Sequence, residues 1–462
     1  MSEADFDVLV LGAGSGGYAC ALRAAQLGLT VGLVEKDKLG GTCLHVGCIP
    51  TKALLHAAEV ADSAREAAQF GVSATLDGID MAGVNAYKDK VVDRLFKGLT
   101  GLIKSRGITV IEGSGTLTGP REVTVDGKAH TASHVVLASG SYSKTLPGLE
   151  VDGERVITSE HALRLDRVPA SAVVLGGGVI GCEFASVWKS FGADVTIVEA
   201  LPRLVAAEDE ASSKALERAF RKRKIDFRTA TSFKSVKVTD TGVAVTVEGA
   251  KDGESVIEAD VLLVAVGRGP STDGLGYAEQ GIAMERGFVV TDERCRTNLE
   301  GVYAVGDIVP GLQLAHRGFQ QGIFVAEEIA GLEPRPVDEA GIPRVTYSHP
   351  EIASVGLDEA RARELHGDQV TTVTYDLGGN GKSQILQTQG FVKLVALADG
   401  PVLGVHMVGD RVGELVGEAQ LVYNWEAHAD DVAPLVHAHP TQNEALGEAH
   451  LSLAGKPLHA HS

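Results

Sequence analysis

Two stretches of this 462-residue chain follow the same plan, and together they constrain its fold more than any other feature. In FDVLVLGAGSGGYACALRAAQLGLTVGLVEK, a β-rich run from Phe6 to Leu11 enters a glycine turn. An alanine- and leucine-rich helical stretch follows, stops at Gly28, and gives way to a second β-rich run ending in Glu35. SAVVLGGGVIGCEFASVWKSFGADVTIVEA repeats strand, glycine turn, helix, a stop at Gly192, strand and a closing Glu199. Each reads as a βαβ unit. The distance from first glycine to closing acid is 23 residues in both, Gly12 to Glu35 and Gly176 to Glu199.

Gly12, Gly14 and Gly17 spell G-x-G-x-x-G, and Gly176, Gly178 and Gly181 spell it again. The first glycine permits the tight turn, the second lets a pyrophosphate approach the backbone, and the third lets helix pack close to strand. The helix then offers free N–H groups and its positive dipole end to the phosphates, while the closing acid accepts from ribose hydroxyls. One such triplet is a weak signal, since tight strand-to-helix turns are common. Two copies, each in its full context, predict two dinucleotide sites. At the second, Glu199 is followed by Ala-Leu-Pro-Arg, with no immediate basic residue for a 2′-phosphate. That favours NAD over NADP, although Arg203 stands close in sequence.

The length implies two to four domains. FKSVKVTDTGVAVTVEG alternates as antiparallel hairpins do. ADVLLVAVGRGP reads as a buried strand ending in a loop, a form that GVYAVGDI repeats. Past about residue 340 a proline-rich linker gives way to alternating strands and helical stretches, an α+β pattern. The net charge of −19 argues against a nucleic-acid partner and suits a basic protein instead. No apolar run is long enough for a membrane span, and the acidic start MSEADFDVLV has no basic signal-like region. With only five cysteines there is no disulfide scaffold, and a cytoplasmic setting is expected.

Two of those five, Cys43 and Cys48, nevertheless stand close together in GGTCLHVGCIPTK. A structural staple, half of a metal site and a redox pair are the three readings. Metal is the weakest, because further ligands at close spacing are lacking and Cys20, Cys182 and Cys295 are scattered, as buried small hydrophobes would be. A staple over so short a loop removes little chain entropy. Five steps of an ideal helix also leave the side chains roughly 140° apart, so a bridge requires distortion, for which Gly47 provides freedom. Redox chemistry fits the downstream residues. Pro50 suits a first helical turn, placing Cys48 near a helix N-terminus where a thiolate is stabilised, and Lys52 adds positive charge. A dithiol site needs a base, and VHAHPTQNEALGEAH offers His439 with Glu444 to orient it, although most of the 15 histidines must be ordinary.

In this order, GGTCLHVGCIPTK, the two nucleotide motifs, GVYAVGDI and HAHPTQNEA resemble the flavoprotein disulfide reductases over nearly the whole chain. The resemblance implies an α/β fold with two Rossmann-like dinucleotide-binding domains, for FAD and NAD, and a C-terminal α+β dimerisation domain. The expected boundaries are 1–148 for the FAD domain, 149–270 for the NAD domain, 271–340 for the return to the first and 341–462 for dimerisation. FAD is implied at Gly12, Gly14, Gly17, Glu35, Lys52, Gly140, Asp307 and Ala315, and NAD at Gly176, Gly178, Gly181, Glu199 and Gly267. Cys43 resembles the thiol that exchanges with substrate, and Cys48 the thiol in charge-transfer contact with the flavin. Lys52 and Glu183 match the ion pair beside it, and His439 with Glu444 matches an acid/base pair contributed by the other subunit of a homodimer. No metal is implied.

The implied activity is oxidation of a protein-bound dihydrolipoyl group with reduction of NAD. The implied partners are the lipoyl domains and subunit-binding domain of 2-oxo acid dehydrogenase complexes. The alternative is an NAD(P)H-dependent reductase of a low-molecular-weight disulfide such as mycothione or glutathione disulfide. The C-terminal cysteine pair of mercuric reductases is missing, since no cysteine follows Cys295. Two departures stand out: His45 where asparagine is common, and LAHRGFQQG in place of LAHKAxxEG.

Overall fold

Val8, Leu9 and Val10 are consecutive and all 0% exposed, a pattern that only a strand covered on both faces satisfies. In the computed structural model, which describes residues 4–250 and 253–460, this strand, Phe6–Leu11, lies inside a seven-stranded sheet. Parallel to it run Val31–Glu35 on one side and Lys128–Leu137 on the other. Thr109–Glu112 and Val302–Ala304 extend the parallel set. Glu122–Val125 and Gly115–Gly119 continue antiparallel from Lys128–Leu137.

The second βαβ stretch forms its own parallel sheet, in the order Asp226–Arg228, Asp194–Val198, Ser171–Leu175, Val261–Val264 and Val156–Thr158. All four residues of Val261–Val264 are buried, as the apolar run implied. The alternating 231–259 segment becomes a three-stranded antiparallel sheet, Thr231–Val238, Val243–Gly249 and Gly253–Ala259. The chain leaves the first sheet and later returns to it through Ser141–Ser143, paired antiparallel with Arg268–Pro270. A third sheet is antiparallel throughout: Arg344–Thr346, Glu351–Gly356, Val402–Gly409, Phe391–Leu397 and Val370–Asp376. Helices Val412–Asn424 and Glu444–Leu453 share its core through Val416, Ala419, Leu446 and Ala449.

Two helices connect the sheets. Cys48–Glu66 packs on Val179–Phe191 of the second unit through Leu54 and Ala58, in the same core as Phe184 and Trp188. Cys20 and Cys295, far apart in sequence, meet in the first unit's core, where burial raises both thiols to about 12. Among the described residues no helix is long and apolar enough to cross a membrane, and no group of three or more His, Cys, Asp or Glu residues is placed to hold a metal ion.

Candidate active site

Each glycine of the two triplets has a distinct geometric reason. Gly12 and Gly176 sit at φ +105° and +109°, and a Cβ would lie 2.4 Å from the Ala138 carbonyl oxygen or 2.3 Å from that of Ala265. A Cβ on Gly17 or Gly181 would lie 1.8 or 1.9 Å from the carbonyl oxygen of its own first glycine. At Gly14 and Gly178 a Cβ would meet nothing within 4 Å. These two N-cap the helices Ser15–Gln26 and Val179–Phe191 and supply no side-chain cap, so first-turn N–H groups border open space. Both cradles fit the diphosphate of a dinucleotide. The acids correspond as well. Ala13 N–H donates to Glu35 Oε2 at 2.8 Å and Gly177 N–H to Glu199 Oε2 at 2.6 Å. Asp37 N–H and Leu201 N–H bind the other oxygens, at 2.9 and 2.7 Å. Each carboxylate keeps lone pairs for a ribose.

Arg203 is committed elsewhere. Its guanidinium donates to the carbonyls of Glu208 and Ala206 and to Ser213 Oγ, at 2.6, 2.8 and 2.8 Å. A 2′-phosphate beside Glu199 would have to compete for it, which strengthens the preference for NAD. Around the first cradle, Ser141 Oγ donates to Asp307 Oδ2 at 2.5 Å and accepts from Arg268 Nε at 2.8 Å. Their neighbours Gly140 and Gly267 hold φ +76° and +108° with open space at the Cβ position. Ala315 opens the Ala315–Ile329 helix, whose N-terminus also has no side-chain cap.

The cysteine motif resolves the helical mismatch by breaking the helix. Cys43 lies in Gly41–His45 and Cys48 begins Cys48–Glu66, with Val46 and Gly47 non-helical between them. The two sulfurs are free thiols that share a hydrogen bond. That bond, assisted by Lys52 and opposed by burial and Glu183, brings the Cys48 thiol down to about 7. Cys43 moves the other way, held protonated by the same bond and by burial. Ser15, one residue past Gly14, also hydrogen-bonds Cys43. Lys52 Nζ lies 2.9 Å from both oxygens of Glu183, whose side chain is only 3% exposed. Burial works against the ammonium, but Glu183 outweighs it and holds Lys52 above its ordinary value.

His439 and Glu444 meet, Nδ1 to Oε1, at 2.8 Å. Thr441 N–H and the imidazole, against burial, hold Glu444 below the usual carboxylate range. The structure does not bring this pair to the cysteines of the same chain: His439 is 77% exposed, and among the described residues no hydrogen bond links 437–444 to 43–52. Val436, three residues before it, is 98% exposed.

Several residues escaped sequence reasoning. Tyr347 places its ring 4.8 Å from Lys52 Nζ and donates its backbone N–H to Glu183 Oε1 at 3.0 Å. A second imidazole–carboxylate pair, His437 with Glu418, stands beside His439, and Asn443 binds the same carboxylate. His437 lies two residues before His439 in sequence, but Glu418 is distant. His45, already set apart in the sequence, hydrogen-bonds the Leu39 carbonyl at 2.9 Å and packs edge-on to Phe96, 5.1 Å between centroids.

Comparison with known proteins agrees with this geometry. Residues 6–322 match the pyridine nucleotide-disulphide oxidoreductases, and 342–450 match the dimerisation domain of that family. A dihydrolipoyl dehydrogenase of Bacillus subtilis (strain 168) is 41% identical, over 98% of this chain and 99% of its own length. A mitochondrial dihydrolipoyl dehydrogenase of Pisum sativum is 38% identical, over 98% and 92%. Among solved structures, the crystal structure of LpdA from Mycobacterium tuberculosis matches with a TM-score of 0.89 at 27% identity, over 96% of this chain and 99% of that one.

Proposed function

The chain belongs to the pyridine nucleotide-disulphide oxidoreductase family, and we propose that its residues carry out the dihydrolipoyl dehydrogenase reaction. A dihydrolipoyl dithiol is oxidised to its disulfide and NAD is reduced, with FAD and NAD as the cofactors. One observation carries the division of labour: Cys48 opens a helix beside a half-buried Lys52 paired with a buried Glu183, while Cys43 lies in the short helix that leads from the first dinucleotide cradle.

The cycle starts with a Cys43–Cys48 disulfide. The partner subunit's His439, oriented by Glu444, takes a proton from one substrate thiol. The thiolate attacks Cys43 Sγ, the Cys43–Cys48 bond breaks, and the electron pair remains on Cys48 as a thiolate. The second substrate sulfur attacks the mixed disulfide, forming the substrate disulfide and expelling Cys43 sulfur, which takes that thiol's proton. The product state has one proton on Cys43, one on the imidazole and a thiolate at Cys48, the state that Lys52 and the Cys43 hydrogen bond favour. Gly12, Gly14, Gly17 and Glu35, with Lys52, Gly140, Asp307 and Ala315, would hold FAD, which would supply a two-electron acceptor for the Cys48 thiolate. Gly176, Gly178, Gly181, Glu199 and Gly267 would hold NAD, the final electron acceptor.

A homodimer follows from the dimerisation domain. That its two subunits share each site is supported by the exposure of His439 and by its separation from the cysteines of its own chain. Lipoyl domains and a basic subunit-binding domain are the proposed partners, supported by the charge of −19. A cytoplasmic setting belongs to the same proposal and rests on the low cysteine count.

The test uses purified flavin-loaded protein with dihydrolipoamide as sole reductant and NAD or NADP as acceptor. NADH formation with little NADPH is expected, and Cys43→Ser should abolish it. Absence of turnover with both coenzymes, alongside NADPH-driven reduction of mycothione or glutathione disulfide, would replace this reading with the low-molecular-weight one.

A further inference from the structure

Residues 347–350 connect two strands of the third sheet, Arg344–Thr346 and Glu351–Gly356, yet two of their backbone N–H groups bind the second unit. Tyr347 N–H donates to Glu183 Oε1 at 3.0 Å and His349 N–H to Ser186 Oγ at 3.1 Å. Glu183 and Ser186 are three residues apart on the Val179–Phe191 helix, so they share a face. The segment thus straps that helix where the helix carries the carboxylate partner of Lys52. The Tyr347 ring is wedged between Lys52, 4.8 Å from its centroid, and Gly413 at the start of the Val412–Asn424 helix, where an added Cβ would lie 3.3 Å from Tyr347 Cε1.

We propose that Tyr347 is a positioning residue for the Lys52–Glu183 pair, its ring and backbone N–H holding ammonium and carboxylate in place beside Cys48 so that this sulfur leaves readily as a thiolate. The proposal rests on reading Cys48 as the working thiolate. The two members of the pair act on that sulfur in opposite senses, Lys52 favouring the thiolate and Glu183 opposing it. The outcome therefore depends on where each charge sits. Lys52 has a long flexible stem, and a two-point contact with Glu183 alone leaves the ammonium free to swing around the carboxylate. An aromatic face attracts the ammonium and limits that motion. The backbone N–H meanwhile takes up part of the Glu183 charge. The other groups facing this cluster are Cys43 on the Gly41–His45 helix and, beyond the tyrosine ring, Glu351 and Glu414. The position is supplied entirely by the third sheet, so the C-terminal unit sets the electrostatics of a thiol belonging to the first.

The test reads Cys48 directly, without turnover, so it stands whether or not dihydrolipoamide proves to be the substrate. Reduced holoenzyme carrying Cys43→Ser is treated with iodoacetamide across a pH series, and labelling of the Cys48 peptide is counted by mass spectrometry. Cys20, Cys182 and Cys295 are buried with raised thiols and stay silent. In that background Tyr347→Leu should shift the Cys48 profile upward by about half to one pH unit, while Tyr347→Phe should leave it within about 0.2 unit. Replacing Tyr347 by progressively fluorinated phenylalanines keeps the ring's shape and weakens its negative face, so the profile should climb with each fluorine. That series decides the matter if the leucine variant does not fold. A folded leucine variant with an unshifted profile, or a flat fluorine series, overturns the proposal.

Discussion

The two βαβ units contain the same cradle in two settings. Glycine angles, steric contacts and carboxylate hydrogen bonds correspond one to one, but the surroundings do not. In the first unit, Gly40 N–H donates to the Ala13 carbonyl at 2.8 Å, and a Cβ on Gly41 would lie 2.7 Å from Gly14 Cα. The segment leading to Cys43 therefore folds back over the phosphate turn. The Ser15–Gln26 helix is also pressed against Ala315–Ile329, so closely that a Cβ on Gly322 would lie 2.2 Å from the Gly16 carbonyl oxygen. In the second unit Val205 N–H makes the equivalent bond to the Gly177 carbonyl, also at 2.8 Å, but Gly178 and Val179 at the helix start are exposed. One cradle is enclosed and suits a resident group; the other is open and suits a coenzyme that binds and leaves each cycle. The same local sequence signal serves both, and the tertiary context makes the difference.

Paired substitutions test that contrast most severely. Gly17→Ala and Gly181→Ala create nearly the same clash, yet the outcomes should diverge. Gly17→Ala is expected to yield protein without flavin or no folded protein. Gly181→Ala should keep flavin while NADH formation falls by roughly two orders of magnitude. Flavin absorbance per chain and initial rates would show it, and equal flavin loss in both variants would erase the distinction between enclosed and open cradles. Next in size, Gly322→Ala should destabilise the protein by about 1–3 kcal/mol in denaturant titrations, because backbone rather than a movable side chain blocks the new methyl. A smaller cost would mean that the first unit's helix pair is looser than its geometry indicates.

Glu199→Ala removes the carboxylate proposed to accept from the ribose and should raise the KM for NAD about tenfold, the worth of one hydrogen bond to a charged group. NADP should remain poor, because Arg203 stays bound to the carbonyls of Ala206 and Glu208. A switch to NADP from this one change would show that Arg203 is freer than it looks. The smallest effect lies at the seam with the third sheet. Burial pushes the Glu351 carboxyl up to about 7, reinforced by Asp410, Glu414 and Glu59, although it accepts from Gly413 N–H. A carboxyl raised in the folded state costs stability as pH climbs from the ordinary carboxylate range through 7. Glu351→Gln should therefore raise Tm at about pH 8 and leave it almost unchanged near pH 5. An equal gain at both values would remove ionisation as the cause.

The sequence made legible what is local. Both cradles could be read because each glycine answers to a contact within a few residues or across one strand. The Cys43–Cys48 spacing could be read as incompatible with a continuous helix, and the break at Val46 and Gly47 is how the fold accommodates it. Lys52 and Glu183 were paired by resemblance rather than by any pattern in their own segments. Tyr347 gave no signal, since a single tyrosine before Ser-His-Pro has nothing to distinguish it until a third sheet is placed against the second unit's helix. The importance of Arg203 was also misplaced: its position in sequence marked it as a potential phosphate contact, whereas its hydrogen bonds make it a structural tie. The enclosure of the first cradle depends on the distant Ala315–Ile329 helix pressed against its own helix, and no spacing rule encodes that.

The exposed His439–Glu444 pair has a genetic consequence. On the proposed arrangement each chain owns the thiols of one site and the imidazole of the other. A Cys43→Ser chain and a His439→Gln chain, each inactive alone, would then complement when mixed. Random pairing of equal amounts would restore about a quarter of the sites, since half the dimers are mixed and each mixed dimer retains one intact centre. Two alleles silent by themselves would thus yield an active population, and extreme dilution, by separating the chains, would silence even the unaltered protein.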